Sequence, residues 1–156
     1  MLDRELYDEA LAARVLRMSP ATLHWWLEGG VRRGKTYAPV LRPEPKGVRA
    51  VTWGEIVEAR YLREYRVTHG VKLWRLRAFI TNLREELGVL YPLAHARPWV
   101  GPGHRLLVEA QLASGLPYAL WACVEPTTGE YLLTHPAESF LERVEFDHDL
   151  GLAVRL

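Results

Sequence analysis

Six histidines and nineteen acidic residues are the first groups in this sequence that could do chemistry. His135, Asp147, His148 and Asp149 form the densest polar cluster, and His95 and His104 precede Glu109. Metal ligands on a helix or strand need short, regular spacings such as His-Glu-x-x-His, which bring ring nitrogens onto one face, and no such spacing occurs. His148 between two aspartates reads as a solvated turn. Cys123 is the single cysteine, so neither an internal disulfide nor a cysteine-cluster metal site is open to the chain, and a buried structural thiol is expected. No serine or cysteine sits in a nucleophile motif, and Gly101-Pro102-Gly103 lacks the strand, glycine loop and helix that cradle a phosphate. The expectation is a protein that is not an enzyme, with no metal and no cofactor.

The basic residues carry a clearer pattern. Formal net charge is only +1, but residues 1–84 hold 16 lysines and arginines against 9 aspartates and glutamates, whereas residues 85–156 hold 4 against 10. The first part is suited to an anionic partner and the second is not. Cations gather between Arg32 and Arg49, where Arg32, Arg33, Lys35, Arg42, Lys46 and Arg49 surround Tyr37. Guanidinium forks match phosphate oxygens geometrically, and lysines add point charge. Such a run alone is often a solvated face; beside a groove-reading helix it neutralises phosphates.

Periodicity locates the elements that must position these groups. Ala10, Leu11, Ala13, Val15 and Leu16 predict a short helix from Asp8 to Leu16, interrupted at Met18-Ser19-Pro20. Ser19 is an N-cap, Pro20 fits the first turn, and Leu23, Trp26 and Leu27 recur at i, i+3 and i+4. They predict a second short helix, Pro20 to Glu28, ended by Gly29-Gly30 because glycine accepts left-handed backbone. With Leu23, Trp26 and Leu27 inward, Ala21, Thr22, His24 and Trp25 fall on exposed or rim positions. Val31 to Val51 is expected to form a hairpin with an extended loop turning at Pro43-Glu44-Pro45-Lys46-Gly47. Thr52 caps a long helix carrying Ile56, Val57, Ala59 and Leu62, and after His69-Gly70 another carries Leu73, Leu76, Ile80, Leu83 and Leu87. Beyond Gly88, the runs Arg105 to Glu109, Tyr118 to Val124, Tyr131 to Thr134 and Leu141 to Phe146 read as small antiparallel strands. A turn is expected at Thr127-Thr128-Gly129-Glu130 and a short helix at Ala137 to Leu141. The fold class is α+β, with a winged helix-turn-helix domain over 1–88 and a small β-rich dimerisation or partner-binding domain over 89–156.

Two short helices, a tight turn and a basic hairpin are the order of parts in a winged helix-turn-helix protein, where one helix enters the major groove and the wing touches phosphates. The expected DNA-contacting set is Ser19, Ala21, Thr22, His24 and Trp25 from the second helix, with Arg32, Arg33, Lys35, Tyr37, Arg42, Lys46 and Arg49 from the wing. Thr22 can bond a base edge or a phosphate, His24 can donate to a phosphate, and Trp25 offers an indole N–H beside a flat apolar face. Ser19-Pro20-Ala21-Thr22-Leu23-His24-Trp25-Trp26 resembles the opening of MerR-like winged helix domains, in which a serine-capped helix continues Thr-Leu-Arg-Tyr-Tyr. Gly47-Val48-Arg49 followed by Trp53 is similar to their wing-to-helix segment. More narrowly, the chain resembles the N-terminal DNA-binding region of VapB-type antitoxins of type II toxin-antitoxin pairs. That likeness is carried by Tyr37-Ala38-Pro39-Val40-Leu41-Arg42, Glu55-Ile56-Val57-Glu58-Ala59, Gly70-Val71-Lys72-Leu73 with Arg77, Tyr91-Pro92-Leu93-Ala94 and Val144-Glu145-Phe146-Asp147. It spans nearly the whole chain through individually loose motifs. The resemblance implies a transcriptional regulator that represses its own promoter and a PIN-domain ribonuclease toxin as partner. Relatives hold the toxin through a segment beyond the counterpart of Phe146-Asp147, and the sequence here ends at Leu156. His24 stands where the motif has arginine, which implies weaker phosphate binding at neutral pH.

Winged helix proteins commonly read two half-sites as a symmetric dimer, so a homodimer is expected, with the helix Leu73 to Leu87 and the terminal strands as candidate interfaces. Six tryptophans and seven tyrosines also admit a small-molecule sensor, with Trp74, Trp99, Tyr118 and Trp121 lining an aromatic pocket, or an interaction module using the acidic second half. The N-terminal Met1-Leu2-Asp3-Arg4-Glu5 is charged where a signal peptide turns apolar, and no apolar run is long enough to span a membrane. The expectation is a cytoplasmic protein acting on double-stranded DNA.

Overall fold

The computed structural model describes residues 1–99, 103–124 and 132–156. Its first strand, β1 (Glu5–Asp8), ends in the residue that caps α1 (Glu9–Val15): the Asp8 carboxylate accepts from the Leu11 N–H at 2.8 Å. The buried row of this helix and its end is Glu9, Ala12, Ala13 and Leu16, an i, i+3, i+4, i+7 stripe. This corrects the expected stripe, since Ala10, Leu11 and Val15 are exposed. Arg17 turns the chain in the left-handed region, with φ 52°. Ser19 then caps α2 (Pro20–Glu28), accepting from the Thr22 N–H at 3.1 Å, and Leu23, Trp26 and Leu27 are buried as their spacing requires. The helix stops at Gly29, whose φ is 64°, and a Cβ there would run into the Tyr37 carbonyl. Conformation and space both demand glycine.

β2 (Gly30–Arg32) and β3 (Lys35–Tyr37) pair antiparallel across Arg33-Gly34, where φ is positive at both residues. That is the backbone of a type I′ turn, whose twist matches the flanking strands. The expected wide hairpin turning at Pro43 to Gly47 is thereby corrected: the hairpin is short, and residues 38–49 form an irregular loop leading to β4 (Ala50–Thr52). β4 pairs with β1, setting Glu5 opposite Thr52 and Asp8 opposite Ala50. Thr52 opens α3 (Trp53–Thr68) with a capping box, its hydroxyl accepting from Glu55 N–H at 3.2 Å while its own N–H donates to the Glu55 carboxylate at 2.9 Å. α4 (Leu73–Leu87) follows His69-Gly70 and buries Leu76, Phe79, Ile80, Leu83 and Leu87.

The second half contains more helix than its short apolar runs suggest. Arg105 to Glu109, expected as a strand, lies inside α5 (His104–Ser114), which packs on α4 and buries Leu107, Val108, Ala110 and Gln111. Tyr118 to Val124 is a 3-10 turn, Tyr118–Leu120, and the two-residue β5 (Cys123–Val124). β5 pairs antiparallel with β6 (Leu132–Leu133); α6 (His135–Leu141) includes the expected short helix; β7 (Glu145–Phe146) and β8 (Ala153–Arg155) form the last pair. Tyr131, the expected turn Thr127-Thr128-Gly129-Glu130 and Gly101-Pro102 lie outside the described residues. The Gln111 side chain joins α5 to the strands, accepting from Ala122 N–H at 2.6 Å and donating to the Cys123 carbonyl at 3.0 Å. The architecture is α+β with two-stranded antiparallel sheets. One apolar core runs from Leu2 to Ala153, and Trp53 Nε1 donates to the Ala153 carbonyl at 2.6 Å. No helix among the described residues is long and apolar enough to cross a membrane.

α3 also buries a carboxyl, Glu58, which accepts from Leu93 N–H at 3.3 Å and lies 3.5 Å from Arg84 Nη2. Burial pushes this carboxyl up to about 8, outweighing the attraction of Arg84. Between the ordinary value of 4.5 and about 8, the folded chain keeps a proton that the unfolded chain has lost. Stability therefore falls as pH rises through that window, by at most ~1.4 kcal/mol per pH unit. Urea unfolding across this range is expected to show the decline, and Glu58→Gln to flatten it; a variant that keeps the full slope would place its origin elsewhere.

Candidate nucleic-acid interface

The β2–β3 hairpin packs against α2 through Trp25, and the first turn of that helix is exposed. Ala21, Thr22 and His24 are exposed, while Ser19 is held in the cap with its Oγ 2.7 Å from Thr22 Oγ1. Cross-strand partners project from the same face of a hairpin. Arg32 and Lys35 are one such pair and Gly30 and Tyr37 another, so these four face α2 and Val31 and Thr36 face away. Trp25 is half-buried against Gly30, where a Cβ would come within 3.0 Å of the indole. The Arg32 guanidinium lies 4.7 Å over the Trp25 ring, Trp25 and Tyr37 are 5.7 Å apart between centroids, and the Lys35 ammonium lies 5.4 Å over Tyr37. Cation, indole, phenol and cation thus form a row that ties the hairpin to the helix. Arg33 stands exposed at the tip.

The acids nearest this side are engaged. Glu9, buried in α1, sets its two oxygens 2.9 and 3.0 Å from His24 Nδ1, with Arg49 Nη1 at 3.9 Å. Glu28 and Glu55 bracket Arg42, whose side chain is 1% exposed. Arg42 donates from Nε and Nη2 to the Glu55 carboxylate at 2.7 and 3.2 Å, from Nη1 to Glu28, and from Nη2 to the Ala50 carbonyl at 2.8 Å. Glu28 accepts in addition from Gly47 N–H at 2.8 Å. Burial opposes both charges of the Arg42–Glu55 pair, but their hydrogen bonds and mutual attraction leave Glu55 below and Arg42 above their ordinary values. Arg42 is therefore corrected from a DNA contact to a buried tie. Lys46 leans on the same Glu55 carboxylate at 3.4 Å with its side chain 40% exposed. Arg32, Arg33 and Lys35 make no ion pair among the described residues.

Other arginines of the basic half serve the backbone. Arg63 Nη2 donates to the Arg17 carbonyl in the α1–α2 turn at 3.1 Å, Arg77 Nε to the Pro39 carbonyl at 3.1 Å, and Arg84 Nη2 to the Leu41 carbonyl at 3.0 Å. Glu9, which seats His24, escaped the sequence reading; its place in a stripe with Ala12, Ala13 and Leu16 was the available signal. Of the aromatic pocket expected from Trp74, Trp99, Tyr118 and Trp121, only Tyr118 and Trp121 meet, at 5.1 Å between centroids, while Trp99 packs on Tyr61 and Phe140 in the core and Trp74 is 53% exposed. Asp147 accepts from the Asp149 and Leu150 N–H groups at 3.0 and 2.7 Å, closing the turn around His148. No group of three or more His, Cys, Asp and Glu side chains that could hold a metal ion occurs among the described residues. Cys123 is buried, and burial pushes its thiol up to about 11.

No family model matches the chain. The uncharacterized protein Rv2308 of Mycobacterium tuberculosis is 41% identical over 133 residues, which cover 85% of this chain and 55% of that protein. The chain thus spans about half the length of this relative. The crystal structure of Rv2018 from Mycobacterium tuberculosis is similar over 97% of this chain and 69% of that one, at a TM-score of 0.65 and 25% identity. The fold as a whole therefore recurs at low identity.

Arg42 and Arg33 separate the structural cations from the exposed ones. Arg42→Leu removes the guanidinium from buried Glu55 and half-buried Glu28 and is expected to cost about 3–5 kcal/mol in denaturant unfolding. Arg33→Ala is expected to stay within about 0.5 kcal/mol of the parent. A mild Arg42→Leu would contradict its role as a tie.

Proposed function

We propose that this chain is a sequence-specific DNA-binding transcriptional regulator of MerR-like winged helix-turn-helix design, with α2 as recognition helix and the β2–β3 hairpin as wing. The observation that carries this reading is the set of cations that make no ion pair among the described residues, Arg32, Arg33 and Lys35, on a hairpin stacked against α2 through Trp25 and Tyr37. A helix fits the major groove with its first residues at the base edges, while a basic strand pair beside it meets phosphates. Thr22 and His24 occupy that first part of α2, and Ala21 allows close approach. With Nδ1 of His24 engaged by the Glu9 carboxylate, Nε2 is the ring atom left to meet a base edge. Arg49, with its side chain 84% exposed, adds a cation on the His24 side. Stacking holds Arg32 and Lys35 before DNA arrives, which lowers the ordering cost of binding.

The resemblance to VapB-type antitoxins extends the proposal to a cytoplasmic autorepressor that acts as a homodimer on two half-sites and takes a PIN-domain ribonuclease toxin as partner. Its work in this reading is binding, not catalysis. Light scattering at micromolar concentration is expected to give a dimer, with or without DNA.

The direct test is fluorescence anisotropy with a duplex from the region upstream of the protein's own gene, against a scrambled duplex, over a salt series. Preference for the upstream duplex and a steep loss of affinity with salt are expected. Replacing Arg32 and Arg33 together by alanine should lower the salt slope by about two, roughly one per lost phosphate contact. Binding indifferent to sequence and to both arginines would refute the assignment.

A further inference from the structure

The distal end of α3 carries an arrangement separate from the hairpin. A cavity of about 300 Å³ lies between the C-terminal half of α3 and the length of α6. Its floor is aromatic: Tyr61, Tyr65 and Phe140 are buried, Tyr61 and Phe140 meet edge to face at 5.0 Å, and the two tyrosine hydroxyls are 2.8 Å apart. Its rim carries two cations, Arg60 from α3 and Arg143 just beyond α6, together with one carboxylate, Glu64, one turn along α3 from Arg60. Neither arginine makes an ion pair among the described residues. Burial, together with the neighbouring charges of Arg143, Arg63 and Arg17, lowers the Arg60 guanidinium, with Glu64 acting the other way. Arg42 shows how this fold stabilises a buried arginine for structure alone, between two carboxylates. Half-buried Arg60 instead shares the cavity rim with Arg143, with the exposed Glu64 as the carboxylate beside it and no ion pair within reach among the described residues. An anion there would relieve the repulsion, and the aromatic floor would bury an apolar ring.

We propose that this cavity binds a small aromatic anion, its ring against Tyr61, Tyr65 and Phe140 and its carboxylate or phosphate between Arg60 and Arg143. A volume at the lower end of small-molecule sites suits a ligand of one or two rings. The proposal does not rest on the DNA reading, because the site shares no residue with α2 or the hairpin.

Calorimetric titration of the full chain with salicylate and with phenyl phosphate tests it, the two probes distinguishing carboxylate from phosphate. Inorganic phosphate and benzyl alcohol separate charge from ring. Saturable binding of at least one aromatic anion is expected, about tenfold or more tighter than either control, and weakened about tenfold or more by Arg143→Gln. Arg143 is exposed, so this variant tests binding without disturbing the core. Thr68→Trp, at an exposed lining position, should block the cavity while leaving both arginines in place. Arg33→Ala should leave the affinity unchanged. Failure of both aromatic anions to bind, binding no tighter than that of either control, or binding that survives both Arg143→Gln and Thr68→Trp would overturn the assignment.

Discussion

Three segments meet through the buried Glu55–Arg42 pair. Glu55 closes the capping box of α3 and binds Arg42, which reaches Glu28 at the end of α2 and the Ala50 carbonyl of β4. Charges so deeply buried are tolerable only when paired and hydrogen-bonded, so each partner fixes the position of the others. The irregular loop 38–49, which has no regular strand or helix of its own, is held at its start by the Trp26 carbonyl, which accepts from the Val40 and Leu41 N–H groups at 2.8 and 3.0 Å. From the other side, Arg77 and Arg84 of α4 bond the Pro39 and Leu41 carbonyls. The hairpin therefore projects from a base fixed on two sides, and its cations inherit that orientation.

The strongly basic character of residues 1–84 consequently divides into two populations. Arg42, Arg63, Arg77 and Arg84 satisfy buried carboxylates or otherwise open backbone carbonyls, work for which the guanidinium fork has the right geometry. Arg32, Arg33 and Lys35 are left at the surface with no acid paired to them among the described residues. Glu9, Glu28 and Glu55 are occupied in the same scaffolding, so the local field at the hairpin is more positive than the net charge of +1 suggests. Organising the fold and exposing positive charge are two outcomes of one set of ion pairs.

What was legible in the sequence was what local chemistry determines. Ser19, Thr52 and Gly29 mark helix ends because caps satisfy backbone groups within a few residues, and the apolar rows of α2, α3 and α4 follow from 3.6-residue periodicity. Long-range pairing left no such trace. β1 was unreadable because its partner β4 lies on the far side of the whole helix pair and hairpin, and Arg42 looks like any wing cation until Glu28 and Glu55 are brought to it. The hairpin turn was misplaced because Pro43 to Gly47 is the louder turn signal than Arg33-Gly34. Leu106-Leu107-Val108 reads equally as strand or helix, and packing on α4 decides for helix. The cavity rim joins Arg60 and Arg143 from distant parts of the chain, a conjunction visible only in three dimensions.

In the proposed function the ion-paired frame presents the start of α2 and the hairpin as one DNA-reading surface. An amide-resolved NMR titration of the protein with a short duplex selected from a random library tests this most directly. Shifts are expected to concentrate at residues 20–25 and 31–36 and to saturate together, with the amides of buried α3 residues unmoved. Shifts centred on α5, α6 or the β7–β8 pair, with α2 and the hairpin silent, would contradict it.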